Sequence, residues 1–449
     1  MVYVHEPPPP EEIGRDLPVE TTRRLAALIA QRRLGPTVGG RYLHWDDLRR
    51  REAPAGLDHR SWWFGIKMAR ALLQRELPLR DNRGRPLHVV ATVDPVIDLL
   101  HRIDVRSGML VSHGKQVIDP EERDAYLYRS LRHEGVESSI LEGAATTRRE
   151  ALAMLEENRR PRTPGERMVL NNYWALERVR HWKDAPLTRD KILELHALIT
   201  RDTLDDPAAS GRLRRPGTDD DVVVSDAAGH VLYRPPPAEE LPARLRRFLA
   251  FANRETESAR PYLHPVVHAV LLHLQFALDH PFVDGNGRVA RALFYWALAR
   301  HGYHACEYVS ISAYVRRARA RYLRAFLLTE TDAADATYFL LHQLAILDRA
   351  LGDLEKYVEE RKRRIHRLER LLGESGLNHR QLDLLSAALQ DPGARFTIAG
   401  HRKRHGVVYQ TARKDLLDLV RWGLLVQLRI GRKFVFHPAS GLERRVGIG

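Results

Sequence analysis

The stretch HPFVDGNGRVAR, residues 280 to 291, constrains this chain more than any other. Asn-Gly and Asp-Gly pairs commonly make hairpin turns, but a hairpin needs strand patterns on both sides. Here both flanks have helical period. Apolar residues recur at three and four in HPVVHAVLLHLQFAL (264–278) and in RALFYWALARHGY (291–303). The stretch is therefore a helix–loop–helix junction, with the second helix starting near Asn286 or Gly287. Glycines at such a junction let consecutive backbone N–H groups converge on an anion at the helix N-terminus. Arg288 and Arg291, three residues apart, project from one face of the first turn towards that anion. Asp284 stands just before the nest, where a carboxylate beside bound phosphates can hold Mg²⁺. His280 has the pKa range to take a proton near neutral pH, and Phe282 anchors the loop in the core.

The rest of the chain sets the context for that junction. Its 449 residues suggest two to four domains, and 44% hydrophobic with 29% charged residues is the composition of a globular protein. No run approaches the roughly eighteen apolar residues of a membrane span, so no membrane partner is expected. The opening MVYVHEPPPPEEIG has neither a basic nor an apolar leader pattern, which points to the cytoplasm. Cys306 is the only cysteine, which excludes an intrachain disulfide and a thiolate metal cluster. The formal charge of +14 favours polyanionic partners. From Gly376 onwards thirteen Lys and Arg face five Asp and Glu, a local excess of +8.

The fold class is mainly α. Residues 1–105 form an N-terminal module with proline breaks, in which Trp45, Trp62 and Trp63 indicate a packed core. Residues 106–350 are helical in period, for instance LTRDKILELHALI (187–199). The exception is DVVVSDAAGHVLYRPPP (221–237), whose β-branched runs flank a glycine turn and read as a hairpin. Residues 351–373 place Leu351, Leu354, Val358, Arg361, Ile365, Leu368 and Leu372 in three-four alternation. This describes a connecting helix packed on its own domain, with a short dimerising coiled coil as the alternative. GMLVSHGKQ (108–116) imitates a P-loop, but five residues separate its glycines and Gln116 stands where Ser or Thr should bind the metal. His264, His268 and His273 lack the glutamate of a zinc protease, so no metal is assigned there.

HPFVDGNGRVAR matches the signature of the Fic family, H-x-F-x-D/E-G-N-G-R-x-x-R, at all eight constrained positions. The resemblance runs from about His101 to the C-terminus and includes LYRSLRHEGVESSILEGAATTRREAL and YLRAFLLTETDAADATYFLL. Fic proteins are helical enzymes that typically transfer AMP from ATP to a hydroxyl of a target protein. The resemblance implies that His280 deprotonates the target Ser, Thr or Tyr and that Asp284 holds Mg²⁺ on the α- and β-phosphates. It implies that Gly285, Asn286, Gly287 and Arg288 cradle those phosphates and that Arg291 meets the γ-phosphate. Kinase-like relatives carry lysine at the second glycine, so Gly287 argues for adenylyl transfer. Ser138 to Gly143, SSILEG, resembles the family's inhibitory helix, S/T-x-x-x-E-G/N. Glu142 would pair with Arg291 and occupy the γ-phosphate position, autoinhibiting in cis; some relatives also use this glutamate to remove AMP.

The hairpin at 221–237 corresponds to the family's flap, whose free edge would register an extended target segment against His280. Tyr322 falls where relatives line the adenine pocket. Residues 376–449 read as three helices followed by two β-rich runs around Arg429-Ile430-Gly431-Arg432, a winged helix-turn-helix. Its third helix presents Tyr409, Gln410, Thr411, Arg413 and Lys414, types that reach base edges and phosphates of DNA. The alternatives are a winged helix used for protein contacts, and a DNA-binding regulator whose Fic domain senses nucleotide or modifies itself.

Overall fold

The computed structural model describes residues 3–117, 120–219, 222–225, 228–254, 262–373, 377–390, 393–430 and 433–445. The chain divides into two compact units, 1–354 and 355–449. It passes from one to the other within a single helix, Thr337–Gly373. Leu351, Leu354 and Val358 of the expected apolar seam are buried. The side chains of Arg361, Ile365, Leu368 and Leu372 lie outside the described residues.

At the centre of the first unit stand Pro265–Asp279 and Asn286–Arg300, packed on each other. Both are buried nearly all round, as a helix enclosed by others must be. Pro164–His181 and Arg189–Thr200 pack on Asn286–Arg300, and Pro120–Leu141 packs on Pro164–His181. Local chemistry starts these helices. Thr163 and Thr188 accept from the N–H groups of Glu166 and Lys191, and prolines occupy the first turns of Pro164–His181 and Pro265–Asp279. The helix Asp94–Val117 runs through the P-loop imitation, so its backbone forms no phosphate loop.

The N-terminal residues build a core from Ile13, Leu25, Leu48, Trp62, Trp63 and Ile66. An antiparallel hairpin, Arg75–Arg80 with Pro86–Val89, then extends from it. His88 bridges by backbone to the turn before Thr337 (N to Ala334 O, 3.2 Å; O from Ala336 N, 2.9 Å). A buried polar cluster closes the joint. Lys67 Nζ lies 2.8 Å from Asp332, Tyr338 donates to the other Asp332 oxygen at 2.8 Å, and the buried Arg70 donates to Tyr338 and to the carbonyls of Pro36 and Leu43. This segment therefore belongs to the same compact unit as the helices it abuts.

The second unit has helices His379–Gln390, Ile398–His405 and Tyr409–Arg421, then an antiparallel hairpin of Leu425–Ile430 and Lys433–Pro438. Leu385, Ala412, Leu416, Leu419 and Phe436 form its centre. Asp415 ties the helices together, accepting from Arg380 Nε (2.7 Å) and Asn378 Nδ2 (2.9 Å) and pairing with His401 Nε2 (3.0 Å). Gly431 and Arg432 of the expected turn lie outside the described residues.

Asp332→Ala would leave Lys67 and Arg70 without their buried carboxylate. We expect destabilisation by about 3–5 kcal/mol, as for one partner of a buried pair, seen as a lower midpoint in thermal unfolding of the full chain.

Candidate active site

The site is built where Pro265–Asp279 hands over to Asn286–Arg300. His280 ends the first helix in left-handed conformation (φ 44°, ψ 56°). A non-glycine residue held there is strained by about 1–3 kcal/mol and persists only when its surroundings fix it. Arg214 does so. Its Nε donates to His280 O at 2.8 Å, its Nη2 to Pro236 O at 2.8 Å, and its backbone N–H to Pro281 O at 2.9 Å. His280 Nδ1 faces Ala277 O at 3.4 Å, a partner that can only accept, so the proton sits on Nδ1 and the lone pair on Nε2. Burial pushes its pKa down to about 4, with Arg214 adding to the effect against the Ala277 hydrogen bond. At neutral pH the imidazole is uncharged.

The loop is stapled from within. Asn286 Oδ1 accepts from Phe282 N at 3.0 Å and its Nδ2 donates to Phe282 O at 2.7 Å. The Asn286 side chain is thus spent on the loop. Phe282 stacks on His196 (centroids 3.7 Å apart, planes 5° apart). Gly211 N donates to His196 Nδ1 at 2.9 Å, which leaves Nε2 as the donor to Asp284 O at 3.0 Å. Gly285 takes φ 82° and no side chain caps Asn286–Arg300. The first N–H groups of this 15-residue helix accordingly remain available to an anion.

The two arginines do not converge on one partner. Arg288, fully buried, donates to Asp284 Oδ2 at 2.9 Å and to Ile199 O at 3.4 Å, while its Nε has no partner among the described residues. Asp284 keeps its side chain half exposed, and its other oxygen has no partner among the described residues. One open carboxylate oxygen beside an anion nest suits Mg²⁺, which keeps waters and takes phosphate oxygens rather than filling an all-protein cage. Among the described residues, no group of three or more His, Cys, Asp or Glu could hold a metal on its own. His264, His268 and His273 instead meet Asp104, Phe251 O and Tyr322 separately.

Arg291, buried, reaches back to Pro120–Leu141. Its Nε donates to Ser138 Oγ at 2.9 Å, and its Nη2 to Ser138 O at 3.2 Å and to Glu142 Oε1 at 2.8 Å. Glu142 stands one residue beyond the helix and not within it. Gly143 at φ 94° closes the end, with Ala144 N bonded to Ser139 O (2.9 Å) and Gly143 N to Ile140 O (3.1 Å). Burial would raise the Glu142 pKa, but the guanidiniums of Arg291 and Arg288 outweigh it and hold the carboxyl below its usual range. Gly287 allows this approach. A Cβ there would collide with the Glu142 carboxylate and lie 3.1 Å from Arg291 Nη1.

A cavity of about 140 Å³ opens beside these groups, lined by Glu142, His280, Gly287, Arg291 and Tyr322. Val224, Ser225, Leu232 and Tyr233 of the short hairpin Val224–Ser225/Val231–Tyr233 wall it on another side. Residues 221, 226 and 227 of the expected hairpin lie outside the described residues. Burial raises the Tyr322 hydroxyl to about 12, and His273 Nε2 lies 3.0 Å from its oxygen. Sequence reasoning does not single out Arg214, His196 or Glu330. Arg214 sits in an arginine-rich loop, His196 is one polar residue in an amphipathic helix, and neither carries a local signature. In the second unit Tyr409, Gln410, Arg413 and Lys414 are exposed and Thr411 is partly so.

These features define a helical protein with an uncapped helix end, a neutral histidine beside it and an internal carboxylate on its second arginine. Residues 186–298 match the Fic/DOC family. A protein adenylyltransferase Fic of Drosophila virilis is 29% identical over 224 residues, 49% of this chain and 43% of that protein. A uridine 5'-monophosphate transferase of Xanthomonas campestris pv. campestris is 26% identical over 211 residues, 45% of this chain and 39% of that protein. The chain thus spans less than half the length of these relatives. The crystal structure of a Fic family protein from Desulfovibrio desulfuricans shares the fold, with a TM-score of 0.53 at 19% identity over 77% of this chain and 96% of that one. The chain thus carries a Fic/DOC-family region over residues 186–298.

The lowered pKa of His280 has a direct spectroscopic consequence. Its imidazole resonances should not titrate between pH 5.5 and 8, where an ordinary histidine with a pKa of about 6.5 passes through its midpoint. Assignment by comparison with His280→Ala makes the measurement, and a midpoint near neutrality would refute the enclosed, uncharged state.

Proposed function

We propose that the chain is a nucleotidyltransferase that moves AMP from ATP to a hydroxyl of a protein, itself included, and that Glu142 restrains it in cis. The observation that carries this reading is the Glu142–Arg291 pair at 2.8 Å, set at an uncapped helix end that a neutral histidine adjoins. In the proposed reaction the target hydroxyl gives its proton to His280 Nε2. Its oxygen forms a bond to the α-phosphorus, the bond from that phosphorus to the β-bridging oxygen breaks, and pyrophosphate leaves. The N–H groups of Gly287 and Arg288 hold phosphate oxygens, and Arg291 binds the γ-phosphate in place of Glu142. Asp284 would hold Mg²⁺, which when bound neutralises charge on the phosphates. Tyr322 supports the nucleoside, and the edge of the hairpin Val224–Ser225 offers backbone groups for pairing with an extended target.

The +8 excess of residues 376–449 and the exposed Gln410, Arg413 and Lys414 support a further role for the second unit, as a winged helix-turn-helix on duplex DNA. Thr411 completes the same helix turn.

His280→Ala should lower AMP transfer about a hundredfold to ten-thousandfold while leaving ATP binding intact, as read by labelling and calorimetry. Glu142→Gly should raise autolabelling. Arg291→Ala should not, since it removes the γ-phosphate clamp together with the brake, and the double variant should resemble Arg291→Ala. Unchanged or lower labelling by Glu142→Gly would refute the brake. The full chain should also bind duplex DNA with steep salt dependence. Arg413→Ala and Lys414→Ala should each lower the log–log slope by about 0.9 for every phosphate they cease to neutralise. No binding at low salt would make the second unit a protein-binding module.

A further inference from the structure

The far wall of the cavity carries a carboxyl that the proposed transfer does not use. Tyr322, Leu323, Phe326, Leu327 and Glu330 line it as one face of the helix Arg319–Thr331. Tyr322 lies within electrostatic reach of Arg291. At 1.5 Å per residue, Glu330 stands about 12 Å further along the axis, away from the phosphate-binding helix end. There it meets the short hairpin: its charge is felt by Tyr233. The Glu330 carboxyl is half-buried and has no hydrogen-bond or ion-pair partner among the described residues.

Behind it comes the turn of the N-terminal hairpin. Arg85 Nη2 donates to Glu330 O at 3.3 Å. The same arginine binds Asp81 through Nε (2.7 Å), and Asp81 Oδ1 accepts from the N–H groups of Arg83 (3.0 Å) and Arg85 (2.8 Å). Asp81 is therefore committed as an acceptor and presents its charge to Glu330. Burial, then Asp81, push the Glu330 carboxyl up to about 8 against Arg83 and Arg85. Those three groups and Tyr233 are the charged and titratable neighbours that face it; Arg319 lies at the opposite end of its own helix.

A neutral carboxylic acid offers one donor and one acceptor side by side, whereas an ionised carboxylate only accepts. Adenine presents the complement, a ring nitrogen that accepts next to an amino group that donates. We propose that Glu330 reads the adenine edge of the bound nucleotide, donating its carboxyl proton to a ring nitrogen and accepting from the amino group, with Asp81 as the positioning residue that keeps that proton in place. The inference rests on the nucleotidyl-transfer reading above and names the residue that selects its base.

The test uses the full chain with Glu142→Gly, and measures ATP binding by calorimetry and the KM and kcat of labelling between pH 7 and 9.5. Glu330 is neutral below its pKa and ionised above it. The KM for ATP should therefore rise about tenfold for each pH unit beyond the midpoint, with kcat changing less. Glu330→Gln keeps a donor and an acceptor but cannot ionise, so its KM should stay low and flat over this range. Glu330→Leu should bind ATP weakly at every pH. Asp81→Asn should move the rise in KM towards lower pH, an effect that a merely structural role would not produce. A Glu330→Gln profile that follows the parent, or a Glu330→Leu chain that binds ATP as the parent does, overturns the inference and leaves nucleotidyl transfer standing. A chain that binds no nucleoside triphosphate overturns both.

Discussion

The charge of Arg291 is the constraint on which the first unit turns. A guanidinium enclosed among helices is tolerated only with good partners, because desolvation costs several kcal/mol. Asn286–Arg300 cannot supply those partners, since the positions one turn from Arg291 hold Gly287, Arg288, Phe294 and Tyr295, none of them a carboxylate. They come from a segment about 150 residues earlier in the chain, through Ser138 and Glu142. Two parts of the sequence that look independent are thus one electrostatic unit. An incoming phosphate can take over only the share of that unit that Glu142 provides. The Ser138 hydroxyl and carbonyl are neutral acceptors and can stay in place.

The loop between the two central helices shows why so few residue types fit there. His280 must leave a helix in a left-handed conformation, and Arg214 fixes that turn by binding the carbonyls on either side of it and at Pro236. Asn286 closes the loop on Phe282, and His196 supports it from below by stacking and by holding Asp284 O. Gly287 leaves room for the carboxylate that faces Arg291, which a side chain there would push aside. Asn286 thus does a structural job with its side chain, while no side chain caps the first backbone N–H groups of its helix.

Much of this is legible in the sequence because it depends on local pattern. The helical period on both sides of DGNGR excludes a hairpin, and the second helix does begin at Asn286. The Fic signature locates His280, Asp284 and Arg291, and SSILEG locates Glu142. What the sequence does not reveal depends on distant partners. The separate pairing of Arg288 with Asp284 and of Arg291 with Glu142 is not legible from a spacing of three residues. Arg214, one of 72 Lys and Arg residues in the chain, is distinguished only by the carbonyls it meets. The same holds for Glu330, whose raised pKa follows from burial and from Asp81, almost 250 residues away in the chain. Helix ends are also read less finely than helices. The motif places Glu142 inside a helix, but Gly143 ends that helix one residue too early for it.

That early end bears on how a brake of the proposed kind could be released. Upstream of Glu142 the helix is firmly held. Ser310 and Ser312 donate to the buried Glu134 (Ser310 Oγ at 2.7 Å, Ser312 N at 3.1 Å), Glu137 pairs with Arg148 and Arg316, and Ser139 donates to Met168 O. Pulling the helix away would break all of these at once. Glu142 lies beyond them, at a helix C-terminus where a negative charge is disfavoured by the helix dipole. Its retention there relies on Arg291 and Arg288. Once another anion satisfies Arg291, the Glu142 side chain can rotate outwards from the turn while Glu134, Glu137 and Ser139 keep their bonds. Competition at one guanidinium, and not displacement of a helix, is the least costly way for this fold to exchange an internal carboxylate for a bound phosphate.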